Sequence, residues 1–219
     1  MHRVAKVFCT LIAVASLGPL TCVRADVPYN ATCAPLHGVE GKDYFDFQNP
    51  ASKQRLDIVE EYHFTPEIES LQHGLTGYIP DELAFVLRAL PNHYRALAAM
   101  GRWQIMHPKM PDNLAGRVDT ADCYFKRAIA FRPEDGNLYS LYAVFLHQSG
   151  KLQDADKNYD KAETLGTANA ELYYNHGLLK FKVGDIAAAQ AYADKAYAMG
   201  YPLPGLRDML ARSKAGTKK

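Results

Sequence analysis

Apolar positions recur with a helical period through the C-terminal half of this chain. The stretch YYNHGLLKFKVGDIAAAQAYADKAYAMG, residues 173–200, shows it most plainly. It reads as two amphipathic helices around a tight turn at Val183-Gly184-Asp185. The first carries Tyr173, Gly177 and Phe181; the second carries Ala189, Ala193 and Ala196. Small side chains at such places let two helices come very close.

The same pattern stands one step upstream. Gly150 in HQSGKLQDA and Gly184 in FKVGDIAAA are 34 residues apart. That offset carries Tyr139 onto Tyr173, Ala143 onto Gly177, Ala155 onto Ala189, Tyr159 onto Ala193 and Ala162 onto Ala196. A further step back pairs Ala155 with Ala121, Tyr159 with Phe125 and Ala162 with Ala128. A fixed period of this size is the signature of stacked two-helix units. The first helix of that earliest unit is displaced, because Pro108 and Pro111 interrupt its regular place and proline breaks helix interiors. It is predicted over 92–107, with an insertion around PKMPDNLAGRVDT.

Punctuation places the remaining elements. HFTPEIESLQHG predicts a helix capped by Thr65, with Pro66 in its first turn, Glu67 and Glu69 at its positive end and Gly74 at its exit. IPDELAFVLRALP predicts another, capped by Asp81, striped by Leu83, Leu87 and Leu90, and stopped by Pro91. After Tyr201, Pro204 and Gly205 open a last helix with Leu206, Met209 and Leu210 on one face and Arg207, Asp208 and Arg212 on the other. A polar outer face suits the end of a stack. Residues 26–60 show little period and read as an extended arm.

Composition changes the picture at the N-terminus. The chain has 219 residues, 48% of them hydrophobic and 22% charged, which suits one domain with a real core. MHRVAK is basic, VFCTLIAVASLGPL is apolar, and Val23-Arg24-Ala25 offers a cleavage site. That order predicts a secretory signal peptide cleaved near Ala25, and a periplasmic or secreted protein. The apolar run falls short of the roughly 20 residues that span a bilayer. An uncleaved anchor is the alternative. Cys22 follows Pro19-Leu20-Thr21, a poor lipidation signal. Cleavage removes Arg3, Lys6 and Arg24 and no acid, so 25 basic side chains become 22 against 24 acidic ones, a net charge of about −2. No basic patch then argues for nucleic acid. Cys33 and Cys123 remain, and an even pair in an exported protein predicts a disulfide. Two separate buried thiols are the alternative. Asn30-Ala31-Thr32 fits a glycosylation acceptor, a triplet that chance often produces.

The repeat resembles the tetratricopeptide (TPR) motif. Tyr173, Gly177, Gly184, Ala189 and Ala196 match it over 170–203, with His176 in place of the usual Leu and Ala193 in place of the usual aromatic. Tyr139, Ala143, Gly150, Ala155, Tyr159 and Ala162 match it over 136–169, where the closing proline is missing. The whole chain is similar to exported TPR proteins of Gram-negative bacteria. The resemblance implies an all-α fold: a right-handed solenoid of helical hairpins, with an irregular N-terminal arm and a C-terminal capping helix. The layout that follows is a signal peptide over 1–25, an arm over 26–60, N-terminal helices over 61–91, a degenerate unit over 92–135, units over 136–169 and 170–203, and the cap with its tail over 204–219. The resemblance further implies that first helices line a concave groove for peptides or extended segments. The positions facing it are Asn137, Ser140, Val144, His147 and Gln148 in one unit, and Glu171, Tyr174, Leu178, Phe181 and Lys182 in the next. Arg95, Arg102 and Trp103 join from the degenerate unit. Ala99 stands where the chaperone-binding version has its first clamp Asn, so a terminal carboxylate is not expected as ligand.

Catalytic signals are sparse. His63 lies near Glu60, Glu61 and Glu67, yet no HExxH pattern is present, nor CxxC, CxxCH, GxSxG, P-loop or GxGxxG. These observations together predict an exported adaptor that holds a protein or peptide segment and assembles an envelope complex. They predict no catalysis, no cofactor, no metal, no nucleic-acid partner and no transmembrane segment in the mature chain. Two other readings stay open. One is an enzyme or metal-dependent protein using His63, His73 or His93 with nearby carboxylates. The other is a structural spacer whose groove is filled by the arm.

Overall fold

Every regular element among the described residues is helical, and no strand occurs there. The computed structural model describes Cys33, residues 45–75, residues 77–109, Leu114 and residues 116–216. The signal peptide, the Asn30 triplet, most of the arm and the Lys218-Lys219 end lie outside the described residues. The elements are a 3-10 turn (Pro50–Ser52), then α1 (Lys53–His63), α2 (Pro66–Glu69), α3 (Ile79–Ala89), α4 (Tyr94–Met106) and α5 (Ala121–Phe131). They continue with α6 (Gly136–Gln148), α7 (Leu152–Thr164), α8 (Ala170–Lys182), α9 (Ile186–Ala198) and α10 (Gly205–Gly216).

The period seen in the sequence sets the bounds of four helices. α6 and α8 begin and end 34 residues apart, and so do α7 and α9. Their ends are specified locally. The Asp135 side chain accepts from Asn137 N–H at the start of α6, and Asn169 accepts from Leu172 N–H at the start of α8. Gly150 and Gly184 follow the first helix of each pair at φ of 79° and 88°, a backbone region that glycine enters without cost. There Lys151 N–H donates to Leu146 O, and Asp185 N–H donates to Lys180 O. These bonds satisfy helix-end carbonyls and turn the chain back at once.

Packing follows from the small residues. Ala143, Ala155, Ala162, Ala189 and Ala196 are fully buried, so α6 sits tightly against α7 and α8 against α9. A second set of contacts joins the pairs: α4 packs on α6, α6 on α8 and α8 on α10. One core cluster runs from Phe64 and Ile68 through Met100 and Phe125 to Leu179. A second gathers Tyr174, Ala189, Ala193, Ala196, Leu206 and Leu210 under α10. Burying Leu206 and Leu210 contributes about 1.5–3 kcal/mol each. The Tyr197 hydroxyl donates to Leu203 O and accepts from Arg207 N–H, which ties the start of α10 to α9.

The N-terminal third departs from the sequence reading in three ways. The arm does not run extended to residue 60, because Asn49 caps a 3-10 turn that leads straight into α1. α1 has no fully buried residue, so no apolar stripe announces it. α2 stops at Glu69 rather than continuing toward Gly74. Gln72 N–H reaches back to Glu67 O while Leu71 takes φ 61°, a strained value for a residue with a side chain. Asp81 is not the cap of α3; Tyr78 precedes the helix, and Asp81 pairs with Arg117 from the segment between α4 and α5. That segment is pinned by Leu114 and Val118, both buried in the core, and ends at Thr120, whose hydroxyl caps α5.

The described end of the arm lies across helix termini. Phe45 N–H donates to Ala89 O, and Phe47 N–H donates to the Asn92 side chain. Arg132 pairs with Asp46, and Phe47 packs on the His93 and Tyr94 rings. Burial, with the Asp135 carboxylate accepting its proton, pushes the Tyr94 hydroxyl up to about 12. Cys33 and Cys123 stand at disulfide distance, with Cα atoms 5.1 Å apart, beside the first turn of α5. No helix among the described residues is long and apolar enough to cross a membrane.

Candidate binding surfaces

Three helices that are far apart in sequence converge on one cavity. Its volume is about 210 Å³, and its walls include Gly101 and Arg102 of α4, Val144 and Gln148 of α6, and Glu171 of α8. Gly101 lies against two buried aromatic rings. A Cβ there would stand 3.4 Å from the Phe145 ring and 3.5 Å from the Phe125 ring. The floor is therefore aromatic and the rim polar. Arg102, Gln148 and Glu171 are exposed, and Val144 is half-buried. Arg102 donates to Glu69 O at 2.7 Å, one of the five donors a guanidinium carries. Such a mix of aromatic, Arg and hydrogen-bonding groups is what protein-binding surfaces use. Four of the thirteen groove residues named from the sequence meet here.

The others are spread differently. His147 is half-buried at the end of α6; its burial, then the Lys182 charge, hold its pKa below the ordinary value. Lys182 is exposed and Ser140 is half-buried. Leu178 and Phe181 pack against the second core. Tyr174 is not a groove residue: it is 7% exposed and stacks on Tyr201 with ring centroids 4.1 Å apart. The segment leading into α10 covers it. Arg95 is committed to α1 and α2, pairing with Glu69 and Glu60 and lying over the Phe64 ring. Asn137 lines a polar recess of about 490 Å³ with Asp135, Thr167 and Asn169.

Trp103 also leaves the predicted groove. It is 6% exposed and forms the back of a different cleft, of about 510 Å³. Leu71, Tyr78, Ile79 and Met106 line that cleft too, with His73 and His107 at its edge. The Trp103 and His107 rings stack with centroids 4.7 Å apart. Helical register alone put Trp103 beside Arg102, but consecutive helical positions point about 100° apart.

The three histidines named for chemistry do not come together. His63 Nδ1 lies 2.8 Å from Glu82 Oε2, and its ring packs on Phe85. His93 is fully buried; its Nδ1 accepts from Ala96 N–H to cap α4, so Nε2 carries the proton and donates to Glu60 at 2.9 Å. Burial, against the pull of Glu60, holds the pKa of His93 below its ordinary value. His73 is an exposed edge of the Trp103 cleft.

The cluster that the sequence reading missed lies between α7 and α8. His176 is fully buried there, with Asp156, Asp160 and Glu163 around its two ring nitrogens. Burial opposes the Asp156 charge, yet hydrogen bonds from Lys180 and His176 outweigh it and hold the carboxyl below its usual range. The available signal was the one noted above, a His at a repeat position that wants Leu. Neither a protein-family model nor a curated protein matches this chain.

Proposed function

We propose that this protein is an exported adaptor of TPR type that holds a protein segment along the α4–α6–α8 face and assembles it into an envelope complex. The observation that carries the reading is the convergence of Arg102, Val144, Gln148 and Glu171, from three successive first helices, on one cavity. The shared 34-residue spacing of α6 with α8 and of α7 with α9 supports a repeat architecture. The α4–α6–α8–α10 row supports a continuous inner face. Export rests on the signal-like leader, and the Cys33–Cys123 pair fits a bonded cystine in an oxidising compartment. The test is co-purification from an envelope fraction of the natural host, with wild type, Val144→Arg and Lys157→Glu side by side. Loss of one partner with Val144→Arg alone, at unchanged melting temperature, is the result that fits. Equal recovery from all three forms refutes the groove.

A further inference from the structure

Asp156, Asp160 and Glu163 occupy one face of α7, each about one turn from the next. His176 of α8 points into that face. Its Nε2 stands 2.8 Å from Asp156 Oδ1 and 3.9 Å from Asp160 Oδ1, and its Nδ1 stands 3.1 Å from Glu163 Oε1. The ligand atoms of Asp156, Asp160 and His176 all lie within 4.8 Å of one another. The imidazole is clamped between two phenol rings, Tyr159 at 4.9 Å and Tyr192 at 4.1 Å. We infer that Asp156, Asp160 and His176 form a binding site for a divalent transition-metal ion of the zinc class, which staples one helix pair to the next.

The internal repeat supplies an independent control. The 34-residue step maps His176 onto Tyr142, Asp156 onto Asp122, Asp160 onto Lys126 and Glu163 onto Ile129. In that earlier unit the Tyr142 hydroxyl donates to Asp122 at 2.6 Å, and Lys126 neutralises the carboxylate. A plain Tyr–Asp–Lys contact is thus enough to join two pairs. The later unit keeps the Asp and changes the other three positions together. It gains one imidazole and two carboxylates at the same junction between pairs.

Two of the three donor pairs lie within about 0.6 Å of what such an ion requires, and all three lie within 4.8 Å. Zinc holds His nitrogen and carboxylate oxygen at about 2.0–2.1 Å in a tetrahedron, which places its donor atoms about 3.3 Å apart. The Nε2 to Asp156 distance must open by about 0.5 Å and the Nε2 to Asp160 distance must close by about 0.6 Å. Asp160 can move, since its side chain is 63% exposed. Glu163 already sits on the far ring nitrogen, the carboxylate–histidine arrangement that orients a metal-binding imidazole. Glu163 is itself held by the Tyr192 hydroxyl and Lys195. Lys180 and a ring proton now balance the Asp156 charge; an incoming ion takes over both tasks. Nitrogen and carboxylate donors favour zinc-class ions over calcium or magnesium.

The site stands apart from the proposed groove, so either can fail without the other. The test uses the full mature chain, stripped with chelator and titrated calorimetrically with zinc chloride, with magnesium chloride as the comparison. One saturable equivalent of zinc is expected, with a rise in melting temperature that magnesium does not give. His176→Tyr, which restores the pairing found at Tyr142, should fold and lose that equivalent. Asp160→Ala should weaken zinc binding at unchanged melting of the metal-free form. Glu163→Gln should cost about 10–100-fold in affinity. Absence of saturable zinc binding, or zinc binding unchanged in both His176→Tyr and Asp160→Ala, overturns the assignment.

Discussion

Gly177 and Gly101 both lie inside helices, yet alanine should act on them in opposite directions. An added Cβ at Gly101 meets the Phe145 and Phe125 rings at 3.4 and 3.5 Å, which is ordinary contact. Helix propensity favours Ala over Gly by about 0.8–1 kcal/mol, so Gly101→Ala should raise stability by somewhat less than that. At Gly177 the same atom stands 2.6 Å from Leu206 Cδ2 and 3.2 Å from Tyr192 Cβ. Leu206 of α10 is fully buried and has little room to turn. Overpacking of this kind costs about 1–3 kcal/mol. Set against the propensity gain, a net loss of about 1 kcal/mol remains, or about 2–4 °C in melting temperature for a chain of this size. Urea unfolding followed by circular dichroism measures both variants. A Leu206→Ala background removes the obstructing methyl. There Gly177→Ala should be neutral or stabilising, a coupling of at least about 1 kcal/mol. A Gly177→Ala that stabilises the wild type as Gly101→Ala does, or that behaves alike in both backgrounds, would refute the close α8–α10 contact.

Acidification should destabilise the fold through His93. The folded state binds the His93 proton less readily than the unfolded chain does, so the stability it confers is lost as pH falls through about 6.5. Urea midpoints between about pH 5 and 8 measure this, and His93→Asn, which keeps the cap acceptor, should flatten the slope without abolishing it, because His147 carries a shift of the same sign. Equal slopes would show that His93 does not couple. Tyr159→Phe should raise stability by up to about 1 kcal/mol, since its buried hydroxyl has no hydrogen-bond partner among the described residues, whereas Tyr142→Phe should lower it by about 1–2 kcal/mol by abandoning Asp122. The reverse order in thermal melts would contradict the two environments. Reduction should cost about 4–5 kcal/mol, since a Cys33–Cys123 bond closes a separation of 90 residues, and thermal melting unchanged by reductant would contradict a bonded pair.

The C-terminal half was legible because its signals are local. Gly150 and Gly184 mark turns that need positive φ, and alanines mark the close faces of α7 and α9. The N-terminal third was less so. α1 buries no residue completely and α2 is four residues long, so neither leaves a periodic trace. Tyr174 and Trp103 were misplaced for a shared reason. Register along one helix says which side chains share a face, but not what a later element lays over that face. The segment into α10 covers Tyr174, while Leu71, Ile79 and Leu114 surround Trp103 with a separate cleft. The acidic shell of His176 was hidden because Asp156, Asp160 and Glu163 read as solvated positions of a polar helix. The close approach of α8 brings the buried His176 against them.

The central claim is that the α4–α6–α8 face, and not its reverse, receives another polypeptide. Photo-crosslinking in the intact host tests it most directly, with the reactive side chain placed at Gln148 on that face or at Lys157 on exposed α7. The account predicts a discrete adduct with a second protein from Gln148 and none from Lys157. The same adduct from both positions, or an adduct from Lys157 alone, would contradict it.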